Sequence, residues 1–218
     1  RKHIMESIEK TLRRLGTDYL DIYFCHRYDP ETLLEEVIRA MDDLVHQGKI
    51  LYWGTSVWSA AQLENAVGLS RQFNLYMPQV EQPRYHMLDR HIETEIMPLC
   101  GKYGIGLTVW SPLAEGLLTG KYNEGIPEGS RATWSEWTKE WLTEENIEKV
   151  RRLTGIAKEL GITMSQLALA WVLRRKEVSS AITGATKPEQ VEENVRASGI
   201  NLTGDALEKI DEILDGLE

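Results

Sequence analysis

The chain has 218 residues, of which 42% are hydrophobic and 27% charged, and this composition is ordinary for a soluble globular protein with one core. The formal net charge of −9 argues against non-specific nucleic-acid binding, and no apolar run is long enough to span a bilayer. Cys25 and Cys100 lie in apolar surroundings, which predicts buried thiols in a reducing compartment, the cytoplasm, rather than a disulfide.

The first predicted elements are a helix and a strand that ends at a histidine. An apolar stripe over residues 4–15 predicts the helix, which Gly16 closes. Aromatic and β-branched residues at 19–25 predict a short buried strand, followed directly by His26. Barrels of the α/β class place catalytic groups at the carboxyl ends of their strands. From its position alone, His26 fits a catalytic and a structural role equally well.

The next stretch repeats this alternation of helix and strand. Asp29 is expected to cap a second helix, whose apolar face covers residues 33–45. A strand is predicted at 50–57. Ser59 and Gln62 then form a capping box, which predicts the start of a third helix.

The middle of the chain ends in a long loop. Residues 77–82 predict a short strand, and residues 89–103 a helix that Pro98 should bend or shorten. The most hydrophobic strand is predicted at 105–110. Residues 111–142 read as a structureless loop rich in glycine and tryptophan, and connections of this length are usually functional.

Five elements are predicted after the loop. Two helices cover residues 143–160 and a segment that begins with a capping box at Thr163. A strand is predicted at 179–184, and Thr186 is expected to cap the helix that follows it. The last element is an amphipathic helix over residues 203–217.

Five strands joined by crossover helices predict a parallel sheet of the α/β class, either open and doubly wound or closed into a barrel. No strand is followed by the Gly-x-Gly-x-x-Gly turn of an open dinucleotide-binding sheet. Candidate functional residues instead occur at the carboxyl end of every strand: His26, Ser56, Gln82, Trp110 and Thr186. Because a barrel brings all such ends to one face, we predict a TIM-type barrel in a single domain over residues 1–218.

Nearly the whole chain resembles the aldo-keto reductases. The segments that carry the resemblance are, in chain order, Arg14-Leu15-Gly16-Thr17-Asp18-Tyr19-Leu20-Asp21-Ile22 with His26, Trp53-Gly54-Thr55-Ser56, Trp110-Ser111-Pro112-Leu113-Ala114-Glu115-Gly116 with Gly120-Lys121-Tyr122, and Gly184-Ala185-Thr186-Lys187-Pro188-Glu189-Gln190-Val191-Glu192-Glu193-Asn194. In the family these segments are the fourth strand, the nicotinamide-carboxamide segment, the loop over the pyrophosphate and the adenosine-phosphate segment.

The nearest subgroup is that of the voltage-gated potassium channel β subunits and their prokaryotic relatives. The similar segments are Arg1-Lys2-His3-Ile4, Tyr52-Trp53-Gly54-Thr55-Ser56 and Ser130-Arg131-Ala132. The channel subunits lack a histidine at the place of His26, so in this respect the chain is similar to the plain enzymes. Val57 stands where the family usually has asparagine.

The resemblance implies a set of site residues. His26 would be catalytic, orienting and polarising a carbonyl group. The cofactor-binding residues would be Ser56, Gln82, Trp110, Ser111, Pro112, Leu113, Ala114, Lys121, Arg131, Gly184, Thr186, Lys187, Gln190, Glu193 and Asn194. Among these, Ser56 and Gln82 would contact the carboxamide, and Trp110 would offer an aromatic face to the nicotinamide ring.

The phosphate-binding part of this set also follows from elementary chemistry. A helix N-terminus presents unpaired amides that suit phosphate, and Thr186 and Lys187 would add a hydroxyl and a cation. Lys121 and Arg131 would arrive from the long loop. Because an additional phosphate needs additional cations, this set favours NADP over NAD. The alternative is that Thr186 is only a helix cap and Lys187 only a solvated lysine.

The implied reaction is reduction of aldehydes or ketones to alcohols by hydride transfer from NADPH. In the family a tyrosine, tuned by a lysine and an aspartate, supplies the proton, and all three lie on early strands. None of the three is matched in this chain. We therefore expect residues 1–218 to supply strands four to eight of the barrel, with the N-terminal part, strands one to three, absent. The alternatives are an NADPH-binding, redox-sensing regulatory subunit and a non-catalytic binding module built from a partial barrel. Neither nucleic acid nor membrane insertion is expected.

Other chemically active residues receive simpler interpretations. The remaining histidines, which lack metal-ligand spacing and are predicted to lie on the surface, are His3, His46, His86 and His91. No metal site is predicted. Trp134, Trp137 and Trp141 could fill a core, join a homo-oligomer or cover the cofactor or substrate, and we predict the cover. Trp171, on an apolar helix, is predicted to lie in the core.

Overall fold

The computed structural model describes residues 1–216. The helices in this range are α1 (Lys2–Leu15), α2 (Leu34–His46), α3 (Ala60–Gln72), α4 (Ile96–Tyr103), α5 (Glu136–Trp141), α6 (Glu144–Glu159), α7 (Met164–Leu173), α8 (Pro188–Val195) and α9 (Gly204–Asp215). The strands are β1 (Leu20–Cys25), β2 (Ile50–Thr55), β3 (Val80–Glu81), β4 (Gly106–Trp110) and β5 (Val178–Ile182). They follow one another in a five-stranded sheet in the order β1-β2-β3-β4-β5, and the pairs from β1 to β4 are parallel.

The chain divides into two compact units. Residues 1–83 and 92–108 form the first unit, and residues 84–91 with the segment from Val109 onward form the second. The first three residues of β4 belong to the first unit and its last two to the second. The single domain expected from the sequence stays a prediction.

In the first unit, α1 confirms the helix predicted from its apolar stripe. Ile8 and Leu12 are buried, whereas Leu15, in the last turn, is exposed. Gly16 adopts a left-handed conformation with φ of 67°, and its N–H donates to the carbonyl of Leu12. A residue without Cβ reaches this conformation at little cost, so Gly16 ends the helix where the sequence predicts.

The strand predicted to be buried at 19–25 is only half-buried as β1, and Tyr19 lies outside it, exposed. Among the described strands β1 pairs with β2 alone, so one of its edges has no strand beside it. The aromatic and branched residues therefore give the strand conformation as predicted, while the degree of burial was wrong.

Asp29 does not cap α2, contrary to the prediction. The helix begins at Leu34, and its N-cap makes no side-chain hydrogen bond. Asp29 instead accepts hydrogen bonds from the backbone N–H of Glu31 at 3.0 Å and the hydroxyl of Thr32 at 2.7 Å. Its carboxylate is satisfied within this local turn, which lies between β1 and α2.

Two prolines shorten the elements around β3 and β4. The strand predicted at 77–82 is reduced to the two residues of β3. Pro78, which has no N–H to give to a sheet, precedes it. The helix predicted at 89–103 is a short 3-10 turn at His91–Glu93 and then α4, which begins at Ile96. Pro98 is tolerated as the third residue of α4, because N–H groups in a first helical turn have no helical partner.

The second unit is organised around α7. Trp171 is fully buried there, as predicted, and its ring stacks on Tyr85 at a centroid distance of 5.3 Å. The predicted capping box of Thr163 and Gln166 is present at the start of α7. Thr203 caps α9, which ends at Asp215, so the part of the predicted helix at Leu217 lies outside the described residues.

The sequence predicts a structureless loop at 111–142, and this prediction was wrong. The segment contains 3-10 turns at Ala114–Thr119 and Arg131–Thr133, followed by α5. Local capping explains α5, because the hydroxyl of Ser135 accepts from the N–H of Thr138.

Within residues 1–216, no single helix combines the length and apolar composition of a membrane span. Only α6 and α7 taken together have this length and composition, and a bend of 91° separates the two helices.

Candidate active site

Three predicted site residues of the first unit lie side by side at the ends of parallel strands. The strand register pairs Cys25 with Thr55, and Thr55 with Glu81. The residues that follow these three are His26, Ser56 and Gln82. Because parallel strands with level ends continue into neighbouring loops, the register brings all three to one edge of the sheet.

A hydrogen-bond network joins the same three positions. The hydroxyl of Ser56 donates to the carbonyl of Gln82 at 3.0 Å. The guanidinium of Arg27 donates to the hydroxyl of Ser56 at 3.3 Å and to the carbonyl of His26 at 2.6 Å. Sequence reasoning had overlooked Arg27, and its position next to His26 was the available signal.

His26 is exposed and lines a cavity of about 390 Å³ within the first unit. Tyr23, Tyr28 and Trp58 also line this cavity, and the rings of Tyr28 and Trp58 meet edge to face at 5.0 Å. This volume lies in the range of small-molecule sites. Burial raises the pKa of the neighbouring Cys25 thiol to about 12, so that this thiol stays protonated and is not a nucleophile at neutral pH.

A buried acid that sequence reasoning missed lies directly beside this row. Glu81 is fully buried and accepts a short hydrogen bond from the hydroxyl of Thr55. The backbone N–H of Trp58 donates to its other carboxylate oxygen at 3.3 Å. Burial raises the pKa of Glu81 to about 7, although these hydrogen bonds and the charge of Arg27 favour the ionised form.

The turn that follows β2 is strained. Val57 has a φ of 59°, in the left-handed region, where a residue with a side chain loses about 1–2 kcal/mol. Gly54, in the strand before it, is required by packing, since a Cβ there would lie 2.6 Å from the carbonyl oxygen of Val80. Strain at a strand end is common at functional sites.

In the second unit, the predicted pyrophosphate loop contains three non-glycine residues with positive φ. Ser111, Ala114 and Glu115 have φ values of 52°, 46° and 56°. The hydroxyl of Ser111 donates to the buried carboxylate of Glu115 at 2.5 Å, and the Arg131 guanidinium lies 2.6 Å from its other oxygen. Glu115, which sequence reasoning did not single out, therefore holds Arg131 at this loop.

Lys121 lies at the same loop. A Cβ added to Gly116 would be 2.7 Å from the Lys121 ammonium, which shows how close this cation lies to the backbone of the loop. The structure thus brings two of the three cations predicted to bind phosphate, Lys121 and Arg131, to the segment that contains Ser111, Pro112, Leu113 and Ala114.

The predicted tryptophan cluster divides into two parts. Trp137 lies 5.8 Å from Trp110, and the Arg84 guanidinium lies 5.6 Å from the ring of Trp110 and 5.1 Å from that of Trp141. Trp134 is 70% exposed and contacts Arg131 instead. Two of the three loop tryptophans thus belong to an aromatic group around Trp110 and Arg84.

His86 does not lie on the surface, contrary to the prediction. Its backbone pairs with Asp89 in an isolated bridge, and its ring packs edge to face on Trp141 at 4.8 Å. This burial lowers the pKa of His86 to about 4 and outweighs the opposing charge of Asp89. The ring is therefore neutral at pH 7. Across residues 1–216, no cluster of three or more potential metal ligands is present.

The adenosine-phosphate segment is exposed over residues 184–192, which include the start of α8. Lys187, rather than Thr186, is the N-cap of this helix, and it makes no side-chain cap. The hydroxyl of Thr186 does not accept from the helix, since it donates with the Thr186 N–H to the side-chain oxygen of Gln190, at 3.3 and 2.8 Å. Gly184 is also exposed. The structure therefore brings Thr186, Lys187 and Gln190 together.

The end of that segment is tied to α7 instead. The carboxylate of Glu193 accepts from the hydroxyl of Thr163 at 2.6 Å, and its carbonyl accepts from the side chain of Gln166 at 3.2 Å. Asn194 is half-buried. Glu193, one of the residues that the resemblance assigns to the cofactor, thus already has a structural partner.

The model of the Aldo/keto reductase family matches residues 1–215. The chain belongs to the aldo/keto reductase family. The family fold is a (β/α)8 barrel, and the α/β architecture with a five-stranded sheet is consistent with part of one.

Curated relatives in the family agree with the resemblance to channel β subunits. The chain is 48% identical to "Putative voltage-gated potassium channel subunit beta" of Schizosaccharomyces pombe, over 99% of this chain and 65% of that protein. It is 46% and 44% identical to proteins called "Probable voltage-gated potassium channel subunit beta" from Arabidopsis thaliana and Oryza sativa, each over 98% of this chain and 67% of the relative. The chain therefore spans about two-thirds of the length of these relatives.

Replacement of Glu81 should change how stability depends on pH. The folded-state pKa of about 7 lies above the ordinary 4.5, so the folded protein retains a proton that the unfolded chain has lost. The carboxyl group therefore costs stability as pH rises from 4.5 to 7, by about 3 kcal/mol in total. Glu81→Gln should remove this decline, which urea unfolding at pH 5 and pH 8 would measure.

The matched control for this measurement is Glu64→Gln. Glu64 is an exposed glutamate of the first unit whose pKa is lowered by hydrogen bonds from Lys102 and Tyr103. The control should retain the decline that wild type shows between the two pH values. An unchanged decline in Glu81→Gln would contradict the raised pKa.

Proposed function

We propose that the protein is an NADP-dependent oxidoreductase that reduces aldehydes or ketones to alcohols. The observation that carries the proposal is the row of His26, Ser56 and Gln82 at level strand ends, in a chain of the aldo/keto reductase family. The family generally binds NAD(P)H.

The residues of each unit, taken separately, suit one part of a dinucleotide with an additional phosphate. In the first unit, Ser56 offers a hydroxyl and Gln82 an amide, which suit a carboxamide group. In the second unit, the ammonium group beside Gly116 and the exposed Lys187 suit phosphate oxygens. Arg131 has its charge partly matched by Glu115.

The chemistry that NADPH supplies when bound is a hydride for the carbonyl carbon. The exposed imidazole of His26 would donate a hydrogen bond to the carbonyl oxygen, which orients the substrate and polarises the bond. Arg27, hydrogen-bonded to the carbonyl of His26, holds the backbone at this position.

The alcohol also requires a proton on its oxygen. Tyr23 lines the same cavity as His26, but burial raises its pKa and makes it a weaker acid. The ring of Tyr28 packs on Trp58. Neither tyrosine is a tuned donor, so in this proposal the proton comes from a group outside the described residues. The described residues then correspond to strands four to eight of the barrel.

A second candidate function is that of an NADPH-binding regulatory subunit. The names of the three relatives favour it, since each is called a potassium channel β subunit. His26 favours the reductase, because the resemblance places no histidine there in the channel subunits. For either function we propose the cytoplasm as location, which the two free thiols support.

Trp110 should report on cofactor binding. Because its ring is proposed to lie against the nicotinamide, NADPH should quench tryptophan fluorescence, and Trp110→Ala should abolish most of the change. The measurement is a fluorescence titration of the complete gene product that contains these residues.

Trp171→Phe is the control, since it removes a core fluorophore of the second unit and should leave the quench in place. An unchanged titration in Trp110→Ala would contradict the assignment.

The cations should select for the additional phosphate. Replacing Lys187 and Arg131 together with alanine should weaken NADPH binding by about 3 kcal/mol and scarcely affect NADH, since charge-assisted contacts to the 2′-phosphate would be lost. Calorimetric titration with both cofactors measures the difference.

Lys176→Ala makes a single charge change of the same kind between α7 and β5 and should leave both affinities unchanged. Equal losses for NADPH and NADH in the double variant would show that these residues do not read the 2′-phosphate.

A further inference from the structure

The buried carboxyl group of Glu81 is hydrogen-bonded to one short turn of the chain. It accepts hydrogen bonds from the hydroxyl of Thr55 and from the backbone N–H of Trp58. A fully buried acid is costly unless such donors satisfy it. Both donors lie within residues 55–58, a segment that begins with the last residue of β2 and contains Val57.

This turn needs something to hold it. Val57 adopts the left-handed conformation, which disfavours any residue with a Cβ and a β-branched one most. Packing does not explain the conformation, since the Val57 side chain is 45% exposed. The Glu81 carboxyl group, which accepts from Thr55 and Trp58 on either side of Val57, is a stabilising contact for this turn.

The same turn presents Ser56. Its hydroxyl donates to the carbonyl of Gln82, the residue next to Glu81, and its N–H donates to the carbonyl of Cys25. The N–H of Gln82 in turn donates to the carbonyl of Thr55. Glu81 thus directly precedes Gln82, one proposed carboxamide contact. It is also hydrogen-bonded to residues on both sides of Ser56, the other proposed contact.

We propose that Glu81 is a positioning residue, whose buried carboxyl group holds the left-handed turn at Val57 and so sets Ser56 and Gln82 for a nicotinamide carboxamide. The inference rests on the proposed function, because it assigns a role toward the cofactor. It concerns a residue that touches neither substrate nor cofactor. Replacement of a merely structural acid would affect folding alone. Replacement of a positioning acid would selectively weaken binding of the nicotinamide end of the cofactor.

The test compares two ligands on the complete gene product at pH 8. NADPH contains the nicotinamide, whereas 2′,5′-ADP has the adenosine and its 2′-phosphate without it. Glu81→Gln presents one acceptor oxygen instead of two, and it should weaken NADPH binding about tenfold, as loss of a charge-assisted hydrogen bond would. Binding of 2′,5′-ADP should stay as in wild type.

Two further variants make the comparison decisive. Asp42→Asn removes another buried acid of the first unit, one that accepts from the N–H of Tyr76, and it should leave both affinities unchanged. Thr55→Val removes one donor to Glu81 while keeping the shape of the side chain. It should weaken NADPH binding in the same selective way, and it decides the test where Glu81→Gln does not fold.

Relief of the backbone strain should rescue the variant. Glycine adopts positive φ without penalty, so Val57→Gly in the Glu81→Gln background should restore most of the NADPH affinity. Equal losses for both ligands, or no loss for NADPH, would overturn the positioning role while leaving the proposed function in place. Failure of wild type to bind either ligand would instead overturn the proposed function and this inference with it.

Discussion

The parallel register of β1, β2 and β3 is the constraint on which the candidate site of the first unit depends. Cys25, Thr55 and Glu81 are level in this register, so the residues after them lie beside one another. This placement follows from the backbone pairing and needs no contact between side chains. The close approach of β2 and β3 requires glycine at position 54, where a Cβ would meet the backbone of β3. One residue of slippage would turn every strand side chain to the opposite face and disperse the row.

Both units stabilise strained turns with buried acids. In the first unit, Val57 is left-handed and Glu81 accepts hydrogen bonds from its turn. In the second, the left-handed residues at 111, 114 and 115 include Glu115, whose carboxylate accepts from Ser111 and pairs with Arg131. Each acid lies next to residues that the family resemblance assigns to the cofactor. Such strain persists only where surrounding contacts fix the backbone.

The features predictable from the sequence are those that local chemistry encodes. The Gly16 cap and the capping boxes at Ser59 and Thr163 are all present, because each is satisfied within a few residues. Burial of β1 and exposure of His86 were wrong, because each depends on what packs against it from elsewhere in the chain. The acids Glu81 and Glu115 were overlooked for the same reason, as their partners come from other segments or from an irregular turn.

Family membership is shown by the match over residues 1–215, and hydride transfer is the central claim that goes beyond it. The most direct measurement supplies the complete gene product with a reactive aldehyde and NADPH doubly deuterated at C4 of the nicotinamide, and locates the label by mass spectrometry. The account predicts deuterium on the carbinol carbon of the alcohol, with most turnover lost in His26→Ala while NADPH still binds. NADPH that binds to wild type without any transfer of label would contradict the reductase and support the regulatory subunit.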